Sequence, residues 1–469
     1  MSEKNAENLH RGLQERHIQL IALGGAIGVG LFLGSATAIK TAGPALVVSY
    51  IIGGVAIFFM MRALGELAVS YPVAGSFSAY ANKFLGPLAG YVTGWTYWFT
   101  WITTCMAEIT AVGVYIQFWF PQVPQWVGAL AILVIMTTVN LIAVRAFGEF
   151  EFWFALIKVV TIVTLIILGL GMIVFGLGHH GVPIGFSNLW SHGGFFPRGI
   201  NGVMMAMVMV MFAYVGVELI GVTAGEAQHP EKTIPAAIDK VLWRILIFYV
   251  GSLLVIMSLY SWDEIGTKGS PFVLTFAQLG IPAAASIINF VVLTAASSSC
   301  NSGIYSNGRM LYDLALQKNA PAVLSRLSSH AVPHIGIIVS SCVMLIGVVL
   351  NYLVPAKVFI YVTSMGALGV MFVWGIVLVV QMKYRRTLSP EEVAKLPYPS
   401  VLFPYANWIA LAIMAFVVVL MAFDETTRIA LYVGMVWFVL IVASYYLFGL
   451  HRRHKETGTT QPVPAKKVL

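Results

Sequence analysis

The sequence predicts an all-α membrane protein of twelve transmembrane helices, and three observations predict it. Of the 469 residues, 59% are hydrophobic and only 10% are charged, whereas a soluble domain carries about 25% charged residues. The apolar residues gather into segments of about 20, the length that crosses a bilayer as a helix. Between segments stand Pro, Gly or polar clusters, as at Gly43-Pro44, Gly86-Pro87, Pro121 to Pro124 and Pro397 to Pro404. The same composition excludes a soluble domain, a disordered chain, a collagen-like fibre and a disulfide scaffold. Cys105, Cys300 and Cys342 sit singly in apolar stretches and read as small core residues.

In chain order the expected spans are 18–40, 44–68, 90–118, 126–145, 152–176, 202–224, 241–260, 282–304, 334–353, 358–381, 403–423 and 428–449. With the N-terminus inside, 21 of the 27 Lys and Arg fall in the tails and even-numbered loops, five fall in the outer loops, and Lys158 lies within a span. That bias sets both ends in the cytoplasm. It also accounts for the net charge of +8 without a nucleic-acid partner. Residues 18–38 imitate a signal peptide, but cleaving them would leave an odd number of spans and spoil the charge sorting. Residues 1–16 and 451–469 read as polar cytoplasmic tails, and 306–330 as an amphipathic helix at the cytoplasmic surface, with Arg309, Asp313, Lys318 and Arg326 among Met310, Leu311, Leu314 and Leu324.

The first span carries Gly24-Gly25-Ala26-Ile27-Gly28-Val29-Gly30, four glycines in seven residues, each costing about 1 kcal/mol against alanine in a helix. One reading is a helix broken at this point. Freed N–H groups of Val29 and Gly30 would then meet an anion, and freed carbonyls near Ala26 a cation. The other is close packing of an intact helix through Gly24-x-x-x-Gly28 and Gly30-x-x-x-Gly34. A dinucleotide loop fails, because no strand precedes the glycines and Ser49-Tyr50 stand where the ribose-binding acid belongs. The sixth span, Phe212-Ala213-Tyr214-Val215-Gly216-Val217-Glu218-Leu219, has a glycine near its middle. Two interrupted spans, five apart, point to an inverted-repeat transporter with its site at the midplane. The expected units are 17–200 (spans one to five), 201–381 (spans six to ten) and 382–450 (two appended spans).

These residues form a pattern that resembles the amino acid–polyamine–organocation transporters. Gly24 to Phe32 resembles that superfamily's first-helix signature. Its bacterial amino-acid permease branch is echoed by Arg62-Ala-Leu-Gly65-Glu66, Pro72-Val-Ala-Gly75-Ser76-Phe77, Gly216-Val-Glu218, Ala224-Gly225-Glu226, Pro230-Glu-Lys-Thr-Ile-Pro235 and Gly308-Arg309-Met310-Leu311-Tyr312. The closest likeness is to permeases for proline, histidine, or D-serine/D-alanine/glycine. The resemblance spans residues 11 to 450. It implies a LeuT-like fold of 5+5 inverted repeats with broken helices 1 and 6, the cell (inner) membrane, and proton-driven uptake. By motif it implies that the substrate carboxylate meets Val29 and Gly30 N–H, that the ammonium meets carbonyls of Ala26, Phe212 and Val215, and that Phe212 is the aromatic gate. A zwitterion suits such a break because its two ends carry opposite partial charges.

Glu108, Lys158 and Glu218 lie well inside spans, where an ionisable group is a functional candidate by default. Lys158 either snorkels to the interface or carries the coupling proton; it resembles the lysine that replaces sodium in proton-coupled relatives. Glu218 can take protons or bond the unwound backbone. Glu108 either faces the pocket or is satisfied by a neighbouring helix. Glu226 and Glu66, near the cytoplasmic ends, act either as gates or as ion pairs and caps. Among Ser297, Ser298 and Ser299, Ser298 is the candidate to line the site. The expected function is a proton-coupled amino-acid symporter for a neutral amino acid, proline or histidine, with an exchanger as the alternative. The expected ligands are the amino acid, the proton and membrane lipid, with no other cofactor, no metal and no nucleic acid; the oligomeric state is open.

Overall fold

A computed structural model of the chain describes residues 27–72, 76–142, 147–178, 180–222, 229–265, 269–277, 282–328 and 332–452. Every regular element among them is helical. We number α1 Val29–Phe32, α2 Gly34–Ala42, α3 Leu46–Ser70, α4 Ser76–Leu85, α5 Pro87–Gln117, α6 Gln125–Ile142 and α7 Phe147–Phe175. There follow α8 Gly199–Ala213, α9 Leu219–Val222, α10 Pro230–Asp239, α11 Val241–Arg244, a π-helical stretch Ile245–Gly251, α12 Ser252–Leu259, α13 Pro271–Ala277 and α14 Pro282–Leu316. The chain closes with α15 His334–Leu353, α16 Val358–Arg385, α17 Pro390–Ala394, α18 Tyr405–Leu420 and α19 Glu425–Leu447.

Eight helical stretches among the described residues are long and apolar enough to cross a membrane, and three shorter apolar helices accompany them. The chain is therefore a multi-pass membrane protein. Its centre is α5, whose apolar window is 83% buried, against 22% for α19 at the edge. Lipid offers no hydrophobic drive between helices, so they are held by close approach of small residues and by polar pairs of about 1 kcal/mol each. Gly303 of α14 meets Cys105 and Trp101 of α5, and Gly369 of α16 meets Thr100. Asn140 Nδ2 donates to Asn301 Oδ1 at 2.7 Å, Asn351 Nδ2 to Thr110 Oγ1 at 2.8 Å and Trp98 Nε1 to Ser340 Oγ at 2.9 Å.

Continuity departs from the sequence reading in one place and follows it in another. The segment 306–330 is not a separate surface helix: α14 runs unbroken from Pro282 to Leu316, and only a 3-10 turn, Ala322–Ser325, follows. Its charges find partners along the way. Arg309 stacks 3.5 Å over Tyr305, and Asp313 accepts from Gln317 at 2.7 Å and from Ser78 of α4 at 3.4 Å. The apolar stretch 202–224 is interrupted, as its glycine suggested. α8 ends at Ala213, residues 214–218 turn, and α9 resumes at Leu219. Gly216 at φ +103° occupies a conformation that side chains rarely adopt. In the first span, residues 24–26 lie outside the described residues; Ile27 and Gly28 form a bend and helix begins at Val29.

Glu66 sits at the end of α3 with its side chain fully buried. It takes both nitrogens of a bidentate Arg385 at 2.7 Å, Gln381 Nε2 at 2.8 Å and Ser400 N–H at 2.6 Å. Of the two readings of Glu66, the ion pair is the one the structure displays. Nearby, Arg62 binds Asp239 at 2.9 Å and lies 3.8 Å over Tyr398.

Candidate functional site

The turn at 214–218 leaves helical backbone unwound in the middle of the bundle, and its peptides must be satisfied locally. Val215 N–H donates to Phe212 C=O at 3.0 Å, Gly216 N–H to Glu218 Oε2 at 3.0 Å, and Tyr249 OH to Ala213 C=O at 3.0 Å. Tyr249 belongs to the π-helical stretch, a local distortion often found at functional sites. Tyr249→Phe should strand the Ala213 carbonyl and lower stability by about 1–3 kcal/mol, read as a lower unfolding temperature in detergent.

Facing the turn is a small hollow. The first span contributes Gly28 and Gly30, α8 and its turn contribute Phe212, Ala213 and Val215, α5 contributes Thr104 and Glu108, and α14 contributes Ser299. Gly30 is demanded by a close approach: a Cβ there would stand 2.5 Å from Ala213 Cα. Glu108 rests on the other glycine, where an added Cβ at Gly28 would lie 2.8 Å from its Oε1. Val29 and Ser299 lie beside the Glu108 carboxyl, and Lys158 lies within its electrostatic reach. Oε2 of Glu108 is buried without a hydrogen-bond partner among the described residues.

The sequence candidates therefore fall as follows. Gly30, Phe212, Val215 and Glu108 line one cavity, and Lys158 lies within electrostatic reach of Glu108. Phe212 C=O already accepts one N–H, leaving a single lone pair for an ammonium. The Phe212 ring is 3% exposed and packs on Gly366, so it does not face lipid. Lys158 is 1% exposed, which rules out snorkelling to the interface. Ser298 is buried but does not line the hollow, while Ser299 does. Glu218 is buried below the turn, bonded to backbone as one reading held, with Tyr97 and Trp374 facing it. Cys105, read as a small core residue, is buried with its thiol 3.7 Å from Cys300 C=O of α14, and the Ser364 hydroxyl bonds back to Ile360 C=O at 2.7 Å. Ala26 and Glu226 lie outside the described residues. Thr104 went unnoticed, although its spacing of four from Glu108 puts both on one helix face.

A hollow walled by unwound backbone and by helices that cross a membrane defines a permease. Comparison with known proteins gives the same class. The amino acid permease family pattern matches residues 17–457. The chain is 58% identical to the uncharacterized amino acid permease YtnA of Bacillus subtilis (strain 168), over 98% of this chain and 100% of that protein. It is 49% identical to the probable threonine/serine transporter YbxG of the same organism, over 95% and 96%. It is also 46% identical to the aromatic amino acid transport protein AroP of Shigella flexneri, over 94% and 96%. The chain belongs to the amino acid permease family of the amino acid–polyamine–organocation superfamily, whose members are transporters and not enzymes.

Proposed function

We propose that the chain is a proton-coupled amino-acid symporter of the cell membrane, with twelve spans, a LeuT-like 5+5 repeat and both ends in the cytoplasm. The observation that carries this reading is the hollow between the Gly28 bend and the 214–218 turn, with a buried glutamate at its wall and a buried lysine within that glutamate's electrostatic reach. Opposite backbone partial charges suit a zwitterion. A buried ammonium near a carboxyl suits a proton that loads and leaves during the cycle. Relatives named for threonine/serine and for aromatic amino acids support an amino acid as the solute; a neutral amino acid, proline or histidine is the substrate class.

The test is uptake of labelled amino acids into proteoliposomes with and without an inward proton gradient. Wild type should accumulate substrate only with the gradient. Lys158→Met should lose accumulation while still equilibrating substrate. Uptake that ignores the gradient but requires amino acid loaded inside would make the protein an exchanger.

A further inference from the structure

Resting on the transport reading above, we propose that Asp239 is a releasable catch, held by Arg62 and Tyr398, that keeps the hollow shut toward the cytoplasm. One turn of α3 gathers the segments concerned. Leu64 packs on Gly221 of α9, where an added Cβ would lie 2.7 Å from Leu64 Cδ2. Gly65 receives α10 and the connector after α17 together: a Cβ there would stand 2.5 Å from Ile238 Cδ1 and 2.8 Å from Tyr398 Cε1. α9 is the half of the sixth segment beyond the turn, on the side that the Lys and Arg bias assigns to the cytoplasm. A solute leaving the hollow inward must displace α9, and α10 is the next helix in the chain.

Two ion pairs fasten this end of α3, and they differ in kind. Glu66 and Arg385 are sealed from solvent, so parting them would strand a charge. Asp239 keeps 59% of its side chain exposed. Its Oδ1 accepts from Arg62 Nη1 at 2.9 Å and from Tyr398 OH at 2.7 Å. As Asp239 withdraws, water can take both places on the carboxylate, which makes an exposed pair cheap to open.

Arg62 is not left bare by that step. Its Nη2 donates to Pro399 C=O at 2.6 Å, and its guanidinium lies 3.8 Å over the Tyr398 ring. The contact therefore divides between α10, which can leave, and the group Arg62, Tyr398 and Pro399, which stays together on α3. A wetted, low-cost contact suits a step repeated in every cycle. The buried Glu66–Arg385 pair suits a joint that stays closed.

Labelling a thiol in the hollow from the cytoplasmic face tests the catch. Thr104→Cys, in the full chain with Cys105, Cys300 and Cys342 replaced by alanine, puts one thiol there. Inside-out vesicles receive a membrane-impermeant trimethylammonium methanethiosulfonate, and the labelling rate is read. Asp239→Ala removes both bonds, one of them from a charged donor, and should raise the rate about tenfold. Tyr398→Phe removes one and should raise it about threefold. Glu391→Gln, an exposed charge elsewhere on the connector, should leave it unchanged. Raising salt from about 0.1 to 1 M shortens the Debye length from about 10 to 3 Å, and should speed labelling of the parent chain but not of Asp239→Ala. If a variant fails to fold, judged by size exclusion, the salt response of the parent chain decides, and a rate indifferent to salt overturns the catch. Labelling of folded Asp239→Ala and Tyr398→Phe at the parent rate also overturns it and leaves the transport reading standing. A thiol that reacts in no chain, from either face of the membrane, overturns both.

Discussion

Replacing Gly30 with alanine is expected to cut amino-acid uptake at least about 100-fold while the protein still inserts in the membrane. The new methyl would stand 2.5 Å from Ala213 Cα and 3.1 Å from its nitrogen. Both are backbone atoms, so no flexible side chain can yield. The first span must shift away from α8, and overpacking of this kind costs about 1–3 kcal/mol. The functional loss should be larger than the stability loss, since the displaced backbone carries the proposed carboxylate contact, and a misplacement of about 1 Å at a reacting centre is enough for a hundredfold effect. Gly375→Ala is the control: a Cβ there meets only Leu411 at an ordinary 3.6 Å. Uptake by Gly30→Ala at the wild-type rate would mean that the approach of the two spans is not needed for transport.

Arg385→Met is expected to produce the largest loss of stability, about 3–5 kcal/mol, because it strands the Glu66 carboxylate where no solvent reaches it. Gln381 and the Ser400 N–H would remain as neutral donors, too few for a full charge. The double variant Glu66→Leu/Arg385→Met should recover much of the loss, since an apolar pair of similar volume is often neutral in place of a buried ion pair. Thermal unfolding in detergent measures both. A single variant that unfolds at the wild-type temperature would show that this cluster contributes nothing to holding α3, α16 and the 396–404 strand of chain together.

Much of the helical layout was legible because spans are written in runs of apolar residues, and their interruptions in glycine. The run Tyr214 to Glu218 could be anticipated as a turn, since Gly216 at positive φ is a local property of one residue. The end of the eighth segment could not. Arg309 and Asp313 read as a surface signature; along α14 they are met one turn away by Tyr305 and Gln317, and the tertiary contact with Ser78 of α4 has no local signal. In the site, Glu108 was visible as an ionisable residue out of place, whereas its choice between pocket and neighbour proved to be both. Ser299 rather than Ser298 lining the hollow is a matter of helix phase, which three consecutive serines do not reveal. Tyr249 carried no local signal at all, because its role depends on where the π-helical stretch aims it.

The bend in the sixth segment is stitched shut by its own surroundings: Glu218 holds Gly216, Tyr249 holds Ala213, and Tyr214 donates to Tyr50 C=O at 2.7 Å. The receptor shape is thus preorganised before any solute arrives. Little ordering entropy remains to be lost on binding, and weak physiological solutes can be captured without first unwinding a helix. Motion during the cycle is then expected in the tilting of whole rods around this rigid knot.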